Sequence, residues 1–552
     1  MYSWLTPPEG CNIFPWLDEI ADELLWEGMH TLNADQRRMY LWFWQGQFMH
    51  NPPMANLHYP RMYEMIAKWV EGWDAVVRFR DISHLTLNNT MLTEVRPDRD
   101  PNTLIYAVTE SLWGMNPLFV ETLTEEWMCA LWFDTLYDLS IEPWPPTGQE
   151  PAPWNFYSKP ALAAAPPFFM DGSNGPNTRA RVLLKDNIHW SDGVLLNATD
   201  VKFTLDLILN PAAKAVAYGK LSHVVESAEI VNETCVDLIL HAPYADLMTL
   251  LSDNQGLAIL PYHFLKDIPA GGLRSHPSNT AFGDPTAWMP TSGPYKPDEI
   301  VIDDHIILEK NNDYYGYGLG WGPYNTSTFI LQWIPDPAER RFAIICHDVD
   351  FGEYAPGPIW SIAGESLYGT EPYPYLRIWQ YDSPASHPVL FNLDNPYLSN
   401  RYIRQAIAHA IPYQQIIDVI LPGWGIDIAY RGKALITPLH YYTDASNVTV
   451  HLFNENLQPY EYNITKAPRY MDMWYYSQEG TDYTLGPVGD ADFNGIVDLD
   501  DFYIWRGWLG TYPGDWTYLP GQDVDPDFDN NGYVELADFY RWVEAWGEEY
   551  PA

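Results

Sequence analysis

The chain has 552 residues, enough for about two to four domains with a large buried core. Its hydrophobic fraction of 47% and charged fraction of 19% indicate a globular protein and exclude a disordered one. A formal net charge of −43 excludes nucleic acid and anionic membrane surfaces as partners, because binding to either requires clustered Lys and Arg. Aromatic residues make up 15%, which fits either ordinary core packing or a ligand cleft lined by rings.

Cysteine spacing and terminal sequence bear on the cellular compartment. The four cysteines contain no CxxC pair, which excludes a thiolate metal knuckle but leaves one or two long-range disulfides open. No apolar run approaches the ~18 residues needed to span a bilayer, and the N-terminus lacks the pattern of a signal peptide. Sequons nevertheless suit an exported glycoprotein, at Asn88, Asn197, Asn232, Asn325, Asn447 and Asn463.

Residues 1–85 are predicted to be mostly helical. Apolar side chains recur at helical spacing in the first fifty residues, and Asn33 is a candidate cap for the second helix. After a Pro-Pro break we expect a short strand over Ala55–Tyr59 and a helix over Tyr63–Trp69. Residues 86–101 are predicted to be a connecting segment.

The stretch Arg181–Thr204 has the most distinctive pattern of the chain. Alternating apolar residues predict a strand, and Ser191-Asp192-Gly193 predicts a turn. Asn197 and Asp200 are spaced as a reciprocal helix cap. Strand, Trp-Ser-Asp-Gly turn and capped helix resemble the signature of the family 5 solute-binding proteins of ABC importers, a group that includes oligopeptide-, dipeptide- and nickel-binding proteins.

Further motifs extend this resemblance over residues 102–478. They are TLIYAVTESLWGMNPLF, LAILPYHFL, TSGPYK, LEKNNDYYG and the long stretch from His387 to Gly425. The resemblance implies an α/β fold of the two-lobed periplasmic-binding-protein type II, with lobe I over about 102–285 and lobe II over about 286–478. Residues 1–85 resemble the end of the same family, although they come first in this chain.

Two explanations fit this unusual order. In a permutation, residues 1–85 pack in cis onto the lobe formed by residues 290–476, and a strand near Leu57 rejoins the first lobe. In a truncation, they are the tail of a preceding module in a tandem array. The apolar stripes of the segment must be buried, because water contact forfeits about 25 cal/mol per Å². We therefore expect packing in cis.

The resemblance also suggests residues that line a ligand cleft. Trp113 and Asn116 follow the first strand of the resembling module, and Asn392 and Trp424 lie in its second lobe. Rings stack on organic ligands and amides orient them. Ordinary packing is the competing explanation for each of these four residues.

Two twelve-residue loops near the C-terminus repeat one pattern of oxygen ligands. Positions 1, 3, 5, 7, 9 and 12 are Asp490, Asp492, Asn494, Ile496, Asp498 and Asp501 in the first loop, and Asp527, Asp529, Asn531, Tyr533, Glu535 and Asp538 in the second. Glycine at position 6 allows the sharp turn of a calcium loop, and the residue at position 7 offers its carbonyl. We predict two Ca²⁺ sites whose occupation drives folding of residues 486–552.

The paired loops resemble a type I dockerin, a small all-α EF-hand-like module. This resemblance implies either a calcium-stabilised structural appendage or a docking module for a cohesin-like scaffold protein. The insertion Gly510–Asp525 between the halves departs from the dockerin pattern and bears on the docking surface, not on the calcium ligands.

Motifs of catalysis are absent from the sequence. Residues Gly364–Tyr368 lack the final glycine of a nucleophile elbow, and neither HExxH nor a GK[ST] phosphate loop occurs. We therefore predict no catalytic residues. The expected function is an extracellular or cell-surface solute-binding component that closes two lobes over a peptide, sugar or other small organic ligand and serves an ABC permease. The alternative is a cell-surface adhesion or scaffold protein that has lost solute binding.

Overall fold

A computed structural model describes residues 16–71, 91–92, 100–140, 157–252, 256–319, 324–353, 376–382, 386–420 and 429–471, the last range with gaps at 434, 437, 439–440, 444–447, 458 and 469. Within these ranges, no helix has the length and apolar character that a membrane crossing requires.

Strands dominate the described part of the chain. In chain order they are β1 (Met54–Ala67), β2 (Val70–Glu71), β3 (Met91–Leu92), β4 (Thr103–Val108), β5 (Tyr137–Ser140), β6 (Tyr157–Pro160), β7 (Phe168–Gly172), β8 (Gly175–Leu183), β9 (Val225–Asn232), β10 (Cys235–Leu240), β11 (Tyr295–Val301), β12 (His305–Lys310), β13 (Thr328–Trp333), β14 (Phe351–Glu353), β15 (Leu376–Asp382), β16 (His387–Leu390), β17 (Ala429–Arg431), β18 (Tyr441–Thr443) and β19 (Thr449–His451).

The α-helices are mostly short. They are α1 (Glu19–His30), α2 (Ala34–His50), α3 (Leu123–Trp132), α4 (Ala198–Leu209), α5 (Tyr218–Ser222), α6 (Leu247–Leu250), α7 (Tyr262–Leu265), α8 (Pro277–Thr280), α9 (Pro337–Cys346), α10 (Arg401–Ala410) and α11 (Tyr413–Gln415).

Nine of the described strands form one mixed sheet. Its order is β11-β12-β13-β4-β14-β1-β15, and β16 and β17 pair with the other half of β1. β4 runs parallel to both β13 and β14, whereas the remaining pairs are antiparallel. A large apolar core covers β4, β11, β12 and β13, and α3 belongs to it. Among the described cysteines, Cys129 and Cys235 are buried thiols outside any disulfide.

The distinctive stretch predicted from sequence folds as expected. It runs through a four-stranded antiparallel sheet of order β7-β8-β10-β9. After β8, the turn places Gly193 at φ +86°, a left-handed conformation that glycine adopts without strain. Asn197 and Asp200 then form the reciprocal cap of α4, with the Asn197 N–H donating to Asp200 Oδ2 at 2.9 Å. This capped helix packs beside β9 and β10 in the first lobe.

One predicted element is wrong. Instead of a short strand followed by a helix over Tyr63–Trp69, the chain forms the single strand β1 from Met54 to Ala67. Its first half pairs with β16 and β17, and its second half pairs with β14 and β15. Hydrogen bonding to strands on both sides stabilises an extended backbone here, which local apolar spacing does not reveal. As a result, β1 crosses from one lobe to the other.

The structure places the N-terminal helices in cis against the second lobe. α1 and α2 form a hairpin whose apolar side chains share a core with Val450 and Leu452. The Gln45 side chain donates to the Leu452 carbonyl at 2.8 Å, and its own carbonyl accepts from the Asn454 N–H at 3.1 Å. Packing of the first residues onto the last described ones buries the apolar stripes that the sequence requires to be covered.

The division between the lobes differs from the predicted boundary at residues 285 and 286. β11, β12, β13 and β14 all lie in the same sheet as β4 and contribute to its core. They therefore belong to the first lobe, because their apolar side chains share one core with β4, whereas, among the described strands, β16 and β17 pair only with the first half of β1. The second lobe consists of the helical hairpin, the first half of β1 and the described residues from β16 onward.

Candidate functional site

The parallel strands of the large sheet define an edge where a ligand can bind. β4 pairs in parallel with β13, with Val108 opposite Trp333, and with β14 on its other side. All three strands therefore end at the same edge. In open α/β sheets, ligands bind in the crevice outside these carboxyl ends.

The loop that leaves this edge, residues 109–122, is held from within by one carboxylate. Glu125 lies at the start of α3 with 1% of its surface exposed. Its Oε1 accepts from the Trp113 N–H at 2.7 Å and the Gly114 N–H at 2.9 Å, and its Oε2 accepts from the Glu121 and Thr122 N–H groups at 2.8 and 3.1 Å. Four backbone bonds to one buried carboxylate fix the loop conformation.

A second buried side chain holds the same loop from the other side. Asn279 Oδ1 accepts from the Met115 and Asn116 N–H groups at 2.9 and 2.8 Å, and its Nδ2 donates to the Arg274 carbonyl at 2.8 Å. A Cβ atom at Gly114 would lie 2.6 Å from Asn279 Oδ1, so this close approach requires glycine. The loop is thus clamped between two lobe I segments.

Of the two predicted first-lobe site residues, Trp113 reaches the surface and Asn116 does not. The Trp113 side chain is 71% exposed although its backbone is fixed. Asn116 is 2% exposed, and its Oδ1 accepts from the Leu118 N–H at 3.0 Å as the cap of a 3₁₀ turn, Pro117–Phe119. Trp113 therefore offers a ring for stacking, whereas Asn116 has a structural role in this conformation.

In the second lobe, Asn392 lies on the surface just after β16. Its Oδ1 accepts from the Asp394 N–H at 3.1 Å, and the residue is exposed. Large apolar side chains are exposed nearby in sequence, at Val389, Leu390 and Tyr397. Trp113 and Asn392 therefore lie on different lobes. Trp424 and the twelve predicted calcium ligands lie outside the described residues.

Two histidines meet where the chain crosses between the lobes. His58 of β1 and His387 of β16 lie with Nε2 and Nδ1 3.0 Å apart, next to a register shift in the strand pairing. Burial, together with the charge of His387, lowers the pKa of His58 to about 4. The His58 ring is therefore neutral near pH 7, so that its ring nitrogens can act as one donor and one acceptor.

Arg431 of β17 supports the same crossing. Its guanidinium donates to the Asn56 and Leu57 carbonyls of β1 at 2.7 and 3.1 Å, and to the Tyr460 carbonyl at 2.6 Å. Burial lowers the pKa of Arg431 to about 10, which still leaves it charged at neutral pH.

The residues that fix the loop 109–122 and the strand crossing were not predicted from the sequence. Thr122 and Glu125 stand at the spacing of a capping box, which is a signal for a helix start but not for the clamping of a loop. Asn279, His58 and His387 carry no local pattern, since each acts on a distant part of the chain. Within the described ranges, no group of three or more His, Cys, Asp or Glu side chains is arranged to hold a metal ion.

Comparison with known proteins gives consistent matches. The model of "Bacterial extracellular solute-binding proteins, family 5 Middle" matches residues 159–490. A Brucella ovis protein named as a peptide-binding protein of an ABC transporter is 26% identical over 285 residues, which cover 51% of this chain and 46% of that protein. The oligopeptide-binding protein OppA of Lactococcus lactis subsp. cremoris is 27% identical over 400 residues, with 62% of each chain covered. This chain thus spans about half the length of the Brucella relative.

Solved structures of the same kind are also similar. NikZ of Campylobacter jejuni in complex with Ni(L-His) has a TM-score of 0.46 and 20% identity, covering 68% of this chain and 64% of that one. AppA of Bacillus subtilis in complex with a nonapeptide has a TM-score of 0.45 and 20% identity, covering 67% and 64%.

Proposed function

Because the chain belongs to the bacterial extracellular solute-binding proteins of family 5, we propose that it binds a peptide between its two lobes and presents it to an ABC permease. The observation that carries this proposal is the path of β1, which pairs with first-lobe strands over one half and second-lobe strands over the other. Strands shared in this way act as a hinge about which two lobes open and close. Proteins of this family are extracytoplasmic, which supports the same location for this chain.

The clamped loop gives the proposed cleft one defined contact. Trp113 presents an exposed ring on a fixed backbone, so that little conformational entropy is lost when a solute stacks on it. Aromatic faces bind apolar side chains and attract cations. The exposed Trp113 ring and the net charge of −43 together favour neutral or basic peptides over acidic ones.

We also propose that residues 486–552 bind two Ca²⁺ ions through the twelve loop ligands named above. This proposal is supported by the repeated ligand spacing in the sequence, where four carboxylates per loop would repel one another without a cation. A module of this kind would stabilise the chain end or attach the binding module to a cohesin-like scaffold protein at the cell surface.

A solute screen tests the proposed function. Thermal shift measurements with short peptides of defined length and charge, sugars and Ni(L-His) should give a raised melting temperature with peptides, followed by saturable binding in calorimetry. Trp113→Ala should weaken peptide binding about tenfold, as loss of one stacking contact does. Phe168→Ala, which removes an equally exposed ring from β7, should leave it unchanged. A chain that binds none of these solutes would favour the adhesion or scaffold alternative.

A further inference from the structure

The two lobes touch at a second place besides the crossing strands. The hairpin of α1 and α2, which packs on the second lobe, reaches the first-lobe residues that follow β10. There the Ala245 N–H donates to the Met29 carbonyl at 3.0 Å. The His30 and Tyr244 rings meet edge to face, with centroids 6.2 Å apart. These contacts join residues more than 200 positions apart in the sequence.

An ion pair lies at the centre of this contact. The Arg37 side chain is 1% exposed, and its guanidinium donates to the carboxylate of Asp246, which is 27% exposed. Arg37 also donates to the Gly28 carbonyl of the hairpin at 2.8 Å and lies over the Tyr442 ring of β18, 4.7 Å from its centroid. Arg37 is therefore fixed to the second lobe, whereas Asp246 belongs to the first.

The separation of the lobes would be costly at this point. If the lobes parted, the buried guanidinium would lose its counter-charge, and a buried charge without a partner is strongly destabilising. The hydrogen bond from the Ala245 N–H to the Met29 carbonyl would break at the same time. The Asp246 side chain makes no capping hydrogen bond to its own helix α6. Its carboxylate instead binds Arg37 on the other lobe.

We propose that the hairpin of α1 and α2 is a latch that holds the two lobes closed through Arg37–Asp246 and Met29–Ala245. The inference rests on the proposed function, because the closed cleft is the solute site. A latch raises the closed fraction of the solute-free protein, and the apparent affinity rises with the fraction of molecules that are competent to bind. It also slows solute release, since the lobes must part first.

Hydrogen exchange in the solute-free full chain tests the latch directly. The Ala245 amide should exchange slowly in the parent protein, and Asp246→Asn should speed its exchange about tenfold, the effect of losing a hydrogen bond to a charged group. The Leu238 amide of β10 should not change. Arg38→Gln, which breaks the exposed Arg38–Asp35 pair on the same helix, is the matched control and should have no effect at Ala245.

Exchange could also rise throughout the first lobe in Asp246→Asn, and a second measurement then distinguishes opening of the lobes from local loosening. Small-angle scattering of the same solute-free proteins should then show a larger radius of gyration for Asp246→Asn than for Arg38→Gln. Unchanged Ala245 exchange in Asp246→Asn, or an equal radius in the two variants, would overturn the latch. Because no solute is added, a protein that binds no peptide can still pass this test, and one that binds peptide can still fail it.

Discussion

The indole Nε1 of Trp69 donates a hydrogen bond of 2.7 Å to Oδ1 of Asp350, and both side chains are buried. The other oxygen, Oδ2, accepts from the Ile105 N–H at 2.7 Å, and the Asp350 carbonyl accepts from the Ala67 N–H at 2.8 Å. One residue therefore joins the N-terminal segment to β4 in the first lobe. This bond and the pairing of β1 explain why the described N-terminal residues, from Trp16 onward, are part of the two-lobed module.

Trp69→Phe is expected to lower the free energy of unfolding by about 1–3 kcal/mol, because it removes a hydrogen bond from a buried indole to a buried carboxylate. Denaturant titration followed by circular dichroism measures this change. The control is Trp113→Phe, a matched substitution at an exposed position, which should stay within about 0.5 kcal/mol of the parent. Equal stabilities for the two variants would show that the Trp69 bond contributes nothing.

Deletion of residues 1–85 should destabilise and aggregate the rest of the chain. The deletion removes β1, which exposes the strand edges of β14, β15, β16 and β17 together with the apolar surface that α1 and α2 cover. Unpaired strand edges promote association. Size-exclusion chromatography and thermal unfolding measure both effects. A monomeric deletion protein with the parent melting temperature would contradict the cis packing.

Local elements of the fold could be predicted from the sequence, whereas the long strand β1 could not. The turn at Gly193 and the helix capped by Asn197 and Asp200 were predictable from the sequence, because caps and turns depend on neighbours within a few residues. β1 was mistaken for a strand followed by a helix, since its partners lie some 290 to 370 residues away. Strand pairing over such distances leaves no trace in local spacing.

The candidate site was predictable to a similar extent. Trp113 was chosen from its place after β4, and it is exposed, but its contact with a ligand stays a prediction. Asn116 was chosen for its amide, but that amide caps the next turn, and one sequence cannot distinguish an amide that binds a ligand from one that binds its own backbone. Glu125 and Asn279 were missed, because both act through backbone N–H groups, which every residue type carries.

Glu125→Gln should weaken solute binding about tenfold without unfolding the protein. A glutamine amide carries only one acceptor oxygen, so two of the four loop N–H groups would face an NH₂ donor, and the loop that carries Trp113 would lose its fixed conformation. Calorimetry measures the affinity, and Glu126→Gln on the same helix is the control. Trp113→Ala added to Glu125→Gln should cause little further loss, because the two act through one contact. Fully additive losses would refute the positioning role of Glu125.

Stability should fall between about pH 6.5 and pH 4. His58 has a pKa of about 4 in the folded protein and about 6.5 when unfolded. Above this window both states are neutral, and within it only the unfolded state takes up the proton, so unfolding becomes more favourable as the pH falls, by about 3 kcal/mol in total. Below the folded pKa the loss is complete.

His58→Gln tests this assignment through the slope of melting temperature against pH. Its slope between pH 7 and pH 4.5 should be shallower than that of the parent, whatever its absolute stability. Some slope should remain, because burial and the Arg401 charge lower the pKa of His50 to about 3. Parallel slopes for parent and variant would show that His58 does not titrate as described.

Calcium should induce helix in a fragment of residues 486–552, measured by far-ultraviolet circular dichroism. The twelve proposed ligands bring four carboxylates into each loop, and a hard divalent cation removes their mutual repulsion. Asp490→Ala and Asp527→Ala should each remove one of two binding sites in calorimetry. A spectrum that is the same with calcium and with chelator would refute the calcium sites.

In the proposed function, a solute is held between the two lobes that β1 joins. Hydrogen exchange of the full chain with and without a peptide found in the solute screen tests it most directly. Saturating peptide should slow exchange in both lobes at once, over residues 109–116 in the first and around Asn392 in the second. Protection confined to one lobe, or absent from both while the peptide is bound, would contradict it.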